Sequence, residues 1–358
     1  MNKFKVGAVG AGRATQELTV PAFHFIKKPA VLKSVCDPNL KLAKKVALEH
    51  NLKAYGDMKE MIEQEKLDIV ILNTPVDTHA PLAVEAMQSG CHVIIEKPAV
   101  ANLIELDEIK RVSEQTGKKV TVVHNYKYYE GPQKALELFQ EGVIGDVVHV
   151  DRYFMSPPQN DRMEMDKQGW WHKMPGGRLA DGLPHMIYLP YMFVGNMEVL
   201  AVSARKLSKD RSWSFCDEAN IMLQTDKSYV NIRESVNQES WPYKGYIYHT
   251  FIYGTKLSLA CNHHDAEILW MQSNKREVVK GVKAAGQILK NRINRLKKEK
   301  NPVSRGAHNV FYEKFFQYIK GEGPNPTTWE EAVNVATLTE QIALKMQECV
   351  VENKKVVI

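Results

Sequence analysis

Through the first 125 residues, short apolar runs alternate with stretches whose apolar residues recur every three or four positions. The runs at 3–9, 31–36, 67–72, 93–95 and 120–123 predict strands. Leu67-Asp-Ile-Val-Ile-Leu72 is almost continuously apolar, which suits a strand buried on both faces. Residues 38–50 and 81–89 predict helices; in the second, Leu82, Ala83, Ala86 and Met87 share one face. Strand–helix alternation with short connections implies a parallel sheet covered by helices on both faces.

Beyond about residue 145 the period shortens to two. Residues 147–153, 199–207, 229–234, 246–253 and 256–261 predict strands, and in the last Leu257, Leu259 and Cys261 alternate with Ser258 and Ala260. Phe251-Ile-Tyr-Gly254-Thr-Lys-Leu257 predicts a hairpin with Gly254 at its turn. The expected fold is an α/β domain over 1–125, followed by an α+β domain over 126–358 with a large, mostly antiparallel open sheet. A length of 358 residues suits two cores better than one.

Composition narrows the class. With 44% hydrophobic and 25% charged residues the chain reads as a soluble globular protein. No apolar run reaches the roughly 18 residues of a membrane span, and the first residues lack the apolar core of a signal peptide. The cysteines (Cys36, Cys91, Cys216, Cys261, Cys349) are odd in number, scattered and without a CxxC, which predicts reduced thiols in the cytoplasm. The net charge of +6 is local: residues 275–300 hold ten Lys/Arg against Glu277 and Glu299, leaving the rest of the chain slightly acidic. Val278, Val282, Ala285, Leu289, Ile293 and Leu296 form a helical stripe there. Two readings stand: an exposed helix packed on its own domain or a neighbouring subunit, or a surface for an acidic membrane or phosphorylated ligand. Nothing beyond this charge suggests nucleic acid. Cys261-Asn-His263-His264-Asp265 has no defensible metal spacing, so no metal is expected.

The candidate chemistry begins at Val9-Gly10-Ala11-Gly12-Arg13-Ala14-Thr15, which ends a strand and opens a helix. Gly10 permits a tight turn, and Gly12 lets the backbone approach a pyrophosphate seated on the helix N-terminus. Thr15 replaces the third glycine of the dinucleotide fingerprint. Asp37 lies 25 residues beyond Gly12 at the end of the second strand. A carboxylate there bonds the adenosine ribose hydroxyls and repels a 2′-phosphate, so NAD is expected over NADP. It can equally cap the next helix.

Two further segments carry a resemblance. Asn73-Thr74-Pro75-Val-Asp-Thr-His79 runs on through Gly90-Cys-His-Val to Glu96-Lys97-Pro98, and Pro175-Gly176-Gly177-Arg178 leads into Asp181-x-x-x-His185. The ordered pattern resembles the glucose–fructose oxidoreductase / inositol dehydrogenase family (Gfo/Idh/MocA). It covers the N-terminal domain fully and the second more loosely. The chain departs from the family at Arg178, where a third glycine often stands, and at Tyr188, where an acid is common. The Trp170-Trp171-His172 segment also lies closer to the glycines than is usual.

The resemblance implies an N-terminal Rossmann domain and an NAD-dependent oxidoreductase acting on a secondary hydroxyl or keto group of a sugar, sugar derivative or cyclitol. A redox-assisted glycosidase or epimerase with retained NAD is the close rival, and a non-catalytic NAD-binding sensor or assembly subunit the distant one. The cofactor residues implied are Gly10, Gly12, Arg13, Ala14, Asp37, Asn73, Thr74, Pro75, His79, Glu96, Lys97 and Asn125. Lys97, Asp181 and His185 are the implied catalytic residues. His185 has the pKa range of a base for the hydroxyl proton. Lys97 stabilises the oxygen, and Asp181 orients either partner. Residues i and i+4 of a helix share a face, so Asp181 and His185 can point together. Tyr126, Trp170, Trp171, His172 and Tyr188 complete a sugar pocket. Alternatives stay open at four places: His79 borders the nicotinamide ribose or is structural, Asn125 meets the carboxamide or caps the domain junction, and Trp170/Trp171 and Tyr188 line the pocket or belong to the core. A homodimer or homotetramer on the open face of the second sheet is also implied.

Overall fold

The computed structural model describes residues 3–26, 29–237, 247–269 and 303–352; the basic stretch 275–300 lies outside them. The first sheet is all parallel, with strands β1 (Phe4–Val9), β2 (Ala30–Cys36), β3 (Lys53–Tyr55), β4 (Ile69–Leu72), β5 (His92–Ile95) and β6 (Val120–Val122) in the order β3-β2-β1-β4-β5-β6. Parallel strands need crossovers. These include α1 (Val20–Phe25), α2 (Leu40–His50), α3 (Met58–Glu65), α4 (His79–Gln88) and α5 (Leu103–Thr116). All four residues of β4 are buried, as its continuous apolarity predicts. Strand order reverses at β1, and ligand crevices form at such switch points, beyond the carboxyl ends of the strands. Residues 10–15, 37, 73–75 and 96–98 therefore gather on one edge.

The second sheet holds seven strands in the order β13-β12-β11-β7-β10-β9-β8. They are β7 (Val147–Met155), β8 (Glu198–Arg205), β9 (Glu218–Gln224), β10 (Tyr229–Ser235), β11 (Ile247–Gly254), β12 (Ser258–Cys261) and β13 (Ala266–Leu269). Only the β7–β10 pair is parallel. Helices α6 (Glu130–Gln140), α7 (Arg162–Met165) and α8 (Gly177–Val194) precede β8, and the helix Trp329–Glu352 lies against β8 and α8. The inward positions of β7, β9 and β10 share one core with Leu183, Ile187 and Leu338.

Several expectations change. Strands β3, β9 and β13 join those read from the pattern. In β9, buried Ala219, Ile221 and Leu223 alternate with exposed Asn220 and Met222. Helix α2 begins at Leu40, capped by Asn39 rather than Asp37. Gly254 ends β11 and is not the turn itself: a Cβ there would stand 2.0 Å from the carbonyl oxygen of Ile144, so the position needs glycine for close approach. The helix Val303–Ile319, expected in the second domain, returns to the first. Its Phe311, Tyr312, Phe315 and Phe316 pack with Val6, Ala8, Ile69 and Ile71.

A buried ionic knot ties the domain junction. Lys127 Nζ lies 2.7 Å from both carboxylate oxygens of Glu331, and His124 Nδ1 lies 2.6 Å from Oε1. Burial alone would raise the Glu331 carboxyl; Lys127 and His124 override it and hold it below its ordinary range.

Candidate active site

The phosphate turn is built around two constraints. Gly10 has φ +89°, and a Cβ there would stand 2.5 Å from the Asn73 carbonyl oxygen, so only glycine fits. The Gly12 Cβ position opens on empty space, leaving its backbone approachable. Thr15 replaces a glycine because its hydroxyl donates to the Gly10 carbonyl and accepts from Asn73 Nδ2 at 2.7 Å. Asn73 also donates to Thr19 at 2.9 Å. The helix after Ala14 opens with a π turn over Thr15–Thr19, a distortion common at functional sites. Arg13 is exposed and paired with Glu17 at 3.0 Å.

Asp37 accepts the Ala11 N–H on one oxygen and the Asn39 N–H on the other, each at 2.8 Å. It thus fixes the glycine turn, and each oxygen keeps a lone pair for a ribose hydroxyl. Thr74 bonds the Thr78 hydroxyl at 2.7 Å, and Pro75 is exposed. His79 takes the structural role of its two readings. It is 1% exposed, with Nδ1 2.9 Å from the Pro98 carbonyl and Nε2 2.9 Å from that of Thr74. Its single N–H donates to one of these carbonyls according to the tautomer, which pins the loop holding the cis Lys97–Pro98 bond. Glu96 sits behind Lys97, accepting its backbone N–H at 2.9 Å.

The catalytic candidates converge from both domains. Lys97 Nζ lies 3.0 Å from Asp181 Oδ2 and 3.2 Å from the Asp181 carbonyl. Of the two partners offered to Asp181, Lys97 is the one it holds. His185 has a different partner: its Nδ1 is 2.6 Å from the Tyr188 hydroxyl, and its ring stacks on Tyr126 at 3.9 Å. Burial lowers the His185 pKa well below 6.5, with Lys97 adding to the effect, so the ring is neutral at pH 7.

Tyr188 and Asn125 are held together at the junction of the two domains. Tyr188 is fully buried; its oxygen accepts the Tyr126 N–H at 3.0 Å, and its hydroxyl donates to Asn125 Oδ1 at 3.4 Å. Asn125, 2% exposed, also bonds His308 Nδ1 at 3.3 Å. Both are packed into the junction. The aromatic segment holds itself together: Trp171 Nε1 donates to the Met163 carbonyl at 2.9 Å, His172 Nε2 meets that of Asp166 at 3.1 Å, and Trp170 packs edge-on to Trp171.

Sequence reasoning missed a buried polar wall beside this group. Tyr248 and His263 pack edge-on to Tyr126 at 5.6 and 4.6 Å. Arg178 fills the place of a third glycine and forks onto Asp161 through Nε (3.3 Å) and Nη2 (2.9 Å). Arg152 is 1% exposed and Glu234 equally so; burial pushes the Glu234 carboxyl up to about 8 against the pull of Arg178 and Arg152. The available signal was parity: in β7, Val150, Arg152 and Phe154 alternate on the covered face. Among the described residues no His/Cys/Asp/Glu group suits a metal ion. No described helix is long and apolar enough to cross a membrane.

Comparison with known proteins gives the same picture. The chain superposes on an oxidoreductase of Thermotoga maritima (TM-score 0.76, 21% identity, 97% of each chain). It also superposes on the WlbA dehydrogenase of Bordetella pertussis, solved with NADH and UDP-GlcNAcA (TM-score 0.74, 16% identity, 97% of this chain and 96% of that one). These likenesses show the fold. Glycosyl hydrolase family 109 protein 1 of Shewanella sp. (strain ANA-3) is 26% identical over 195 residues, covering 50% of this chain and 42% of that protein. The chain thus spans less than half the length of that curated relative. Residues 4–124 match the family model described as oxidoreductase family, NAD-binding Rossmann fold, and residues 137–352 match the companion C-terminal alpha/beta domain. With both domains matched in order, the chain belongs to the Gfo/Idh/MocA oxidoreductase family.

Proposed function

We propose that the protein is an NAD-dependent dehydrogenase acting on a secondary hydroxyl of a sugar, sugar derivative or cyclitol. One observation carries the reading: the Lys97 ammonium, held by Asp181 at 3.0 Å, stands beside a neutral His185 whose Nδ1 is already taken by Tyr188. With Nδ1–H donated to Tyr188, Nε2 keeps a lone pair for the hydroxyl proton. Lys97 donates to the same oxygen as charge develops on it.

The glycine turn, Asp37 and the 73–75 edge fit a dinucleotide: Gly10 and Gly12 leave its backbone open, and Asp37 retains acceptor capacity. A dinucleotide bound there would supply the acceptor for hydride leaving the carbon that carries the hydroxyl. Asp37 favours NAD, since a 2′-phosphate beside it meets like charge.

The glycosyl hydrolase name of the Shewanella relative favours a second reading, in which oxidation is transient and the NAD stays bound. A screen of sugars, cyclitols and nucleotide-linked sugars, read by NADH absorbance, tests the first reading. Net NADH formation supports it. Release of a leaving group without net NADH, with NAD recovered from denatured protein, replaces it with the second. Neither outcome with any class sinks both.

We further infer a homo-oligomer built on the open face of the second sheet, where Val148, Leu200, Met222 and Tyr229 are exposed. Five unpaired thiols favour a reducing compartment such as the cytoplasm.

A further inference from the structure

Two arginines stand in the buried wall, and they differ in one respect. Arg178 presents its side-on fork, Nε and Nη2, to Asp161. In Arg152 the same two nitrogens are buried with no hydrogen-bond partner among the described residues. Among the described residues its Nη1 alone is engaged, by the Thr250 hydroxyl at 2.9 Å. The guanidinium cannot shed its charge, and no carboxylate lies within ion-pair distance of it among the described residues. Glu234, on the neighbouring strand, has its own unpartnered buried oxygen, and burial raises its carboxyl.

A buried guanidinium with no carboxylate partner is costly to fold around. Its unpartnered edge, though buried, is the side-on one that pairs with a planar carboxylate through two parallel N–H bonds. Arg152 also belongs to the site: it lies 5.6 Å from the Tyr248 ring, which packs on Tyr126, the ring that stacks on His185. We propose that Arg152 is a specificity-determining residue that receives a carboxylate of the substrate, so that the substrate class is a sugar acid such as a hexuronate. This rests on the dehydrogenase reading of the same site and narrows its substrate.

The test is calorimetry on the full chain with and without NAD, using D-glucuronate, D-galacturonate and D-mannuronate, each against its parent hexose, together with glucose 6-phosphate. At least one hexuronate is expected to bind about tenfold or more tightly than its hexose. Arg152→Met should abolish that preference, and Arg152→Lys, which keeps charge but not the fork, should retain only part of it. NAD affinity should stay within about twofold in both. Arg152→Met should also melt at or above the wild-type temperature without ligand, because it removes an unpaired buried charge. Equal binding of every acid and its hexose, a preference that survives Arg152→Met, or tighter binding of glucose 6-phosphate than of any hexuronate overturns the proposal. Lower melting of Arg152→Met with the acid preference intact assigns Arg152 to structure alone. Failure of NAD to bind while the acid preference persists removes the dehydrogenase reading and leaves the anion site standing.

Discussion

The Tyr188 hydroxyl lies 2.6 Å from Nδ1 of His185. A carboxylate there would stabilise the imidazolium and raise its pKa; a phenol fixes the tautomer without adding charge. For oxidation of the alcohol, the acid limb of the kcat profile is expected below pH 6.5, because His185 must remain unprotonated and its pKa is depressed by burial and Lys97. In Tyr188→Phe the tautomer is no longer fixed and kcat should fall about tenfold or more, with KM changing less. Steady-state kinetics from pH 5 to 9 checks both points. An acid limb assigned to His185 at pH 7 or above would contradict the assignment.

In the proposed reading Lys97 and His185 act on the alcohol oxygen and not on the adenosine half of the cofactor. Lys97→Ala and His185→Ala should each lower kcat by about a hundredfold or more while NAD affinity stays within a few-fold. Single-turnover kinetics and NADH fluorescence titration separate the two effects. Normal turnover by either variant removes that residue from the chemistry.

Asp37 ties the glycine turn through Ala11 N–H, and in the proposed reading its remaining acceptor capacity serves the adenosine ribose. NAD(H) should bind at least about tenfold more tightly than NADP(H), roughly 1.4 kcal/mol. Asp37→Asn keeps the size of the side chain and should narrow the gap. Equal or tighter NADP binding by the wild type defeats the expectation, and calorimetry with both cofactors decides it.

Glu331 contributes to stability through a depressed pKa. That contribution is fully present above the unfolded value of about 4.5. It is lost as pH falls through the lower folded value. Glu331→Gln leaves Lys127 buried and unpaired, and should cost about 3–5 kcal/mol at pH 7. Its stability should also depend less on pH between about 5 and 3. Denaturant unfolding across that range measures both; an unchanged slope would place the acid sensitivity elsewhere.

The Rossmann half was legible because its signals are local. The run at β4, the glycines at Gly10 and Gly12 and the Glu96-Lys97-Pro98 segment each declare themselves within a few residues. The second domain was half legible: alternation marks β7 and β10, while β13 has four residues and too little pattern to read. Lys97, Asp181 and His185 were readable as a set, but not which pairs with which. The i,i+4 spacing puts Asp181 and His185 on one helix face, yet the ammonium from the other domain claims Asp181, and a neutral phenol serves the histidine. Arg152 and Glu234 were hidden for another reason. A charged residue on an apolar parity looks like an irregularity until the neighbouring strands give it surroundings.

The return of the Val303–Ile319 helix to the first sheet bears on how the chain is made. Phe311, Tyr312, Phe315 and Phe316 complete the core that begins at Val6. A nascent chain that has passed residue 125 still lacks them, so the face around Ala8, Ile69 and Ile71 stays uncovered while the whole second sheet is synthesised. Domains generally fold as units during synthesis, and exposed apolar surface invites aggregation. Here the domain encoded first closes late, and the order of synthesis is not the order of completion.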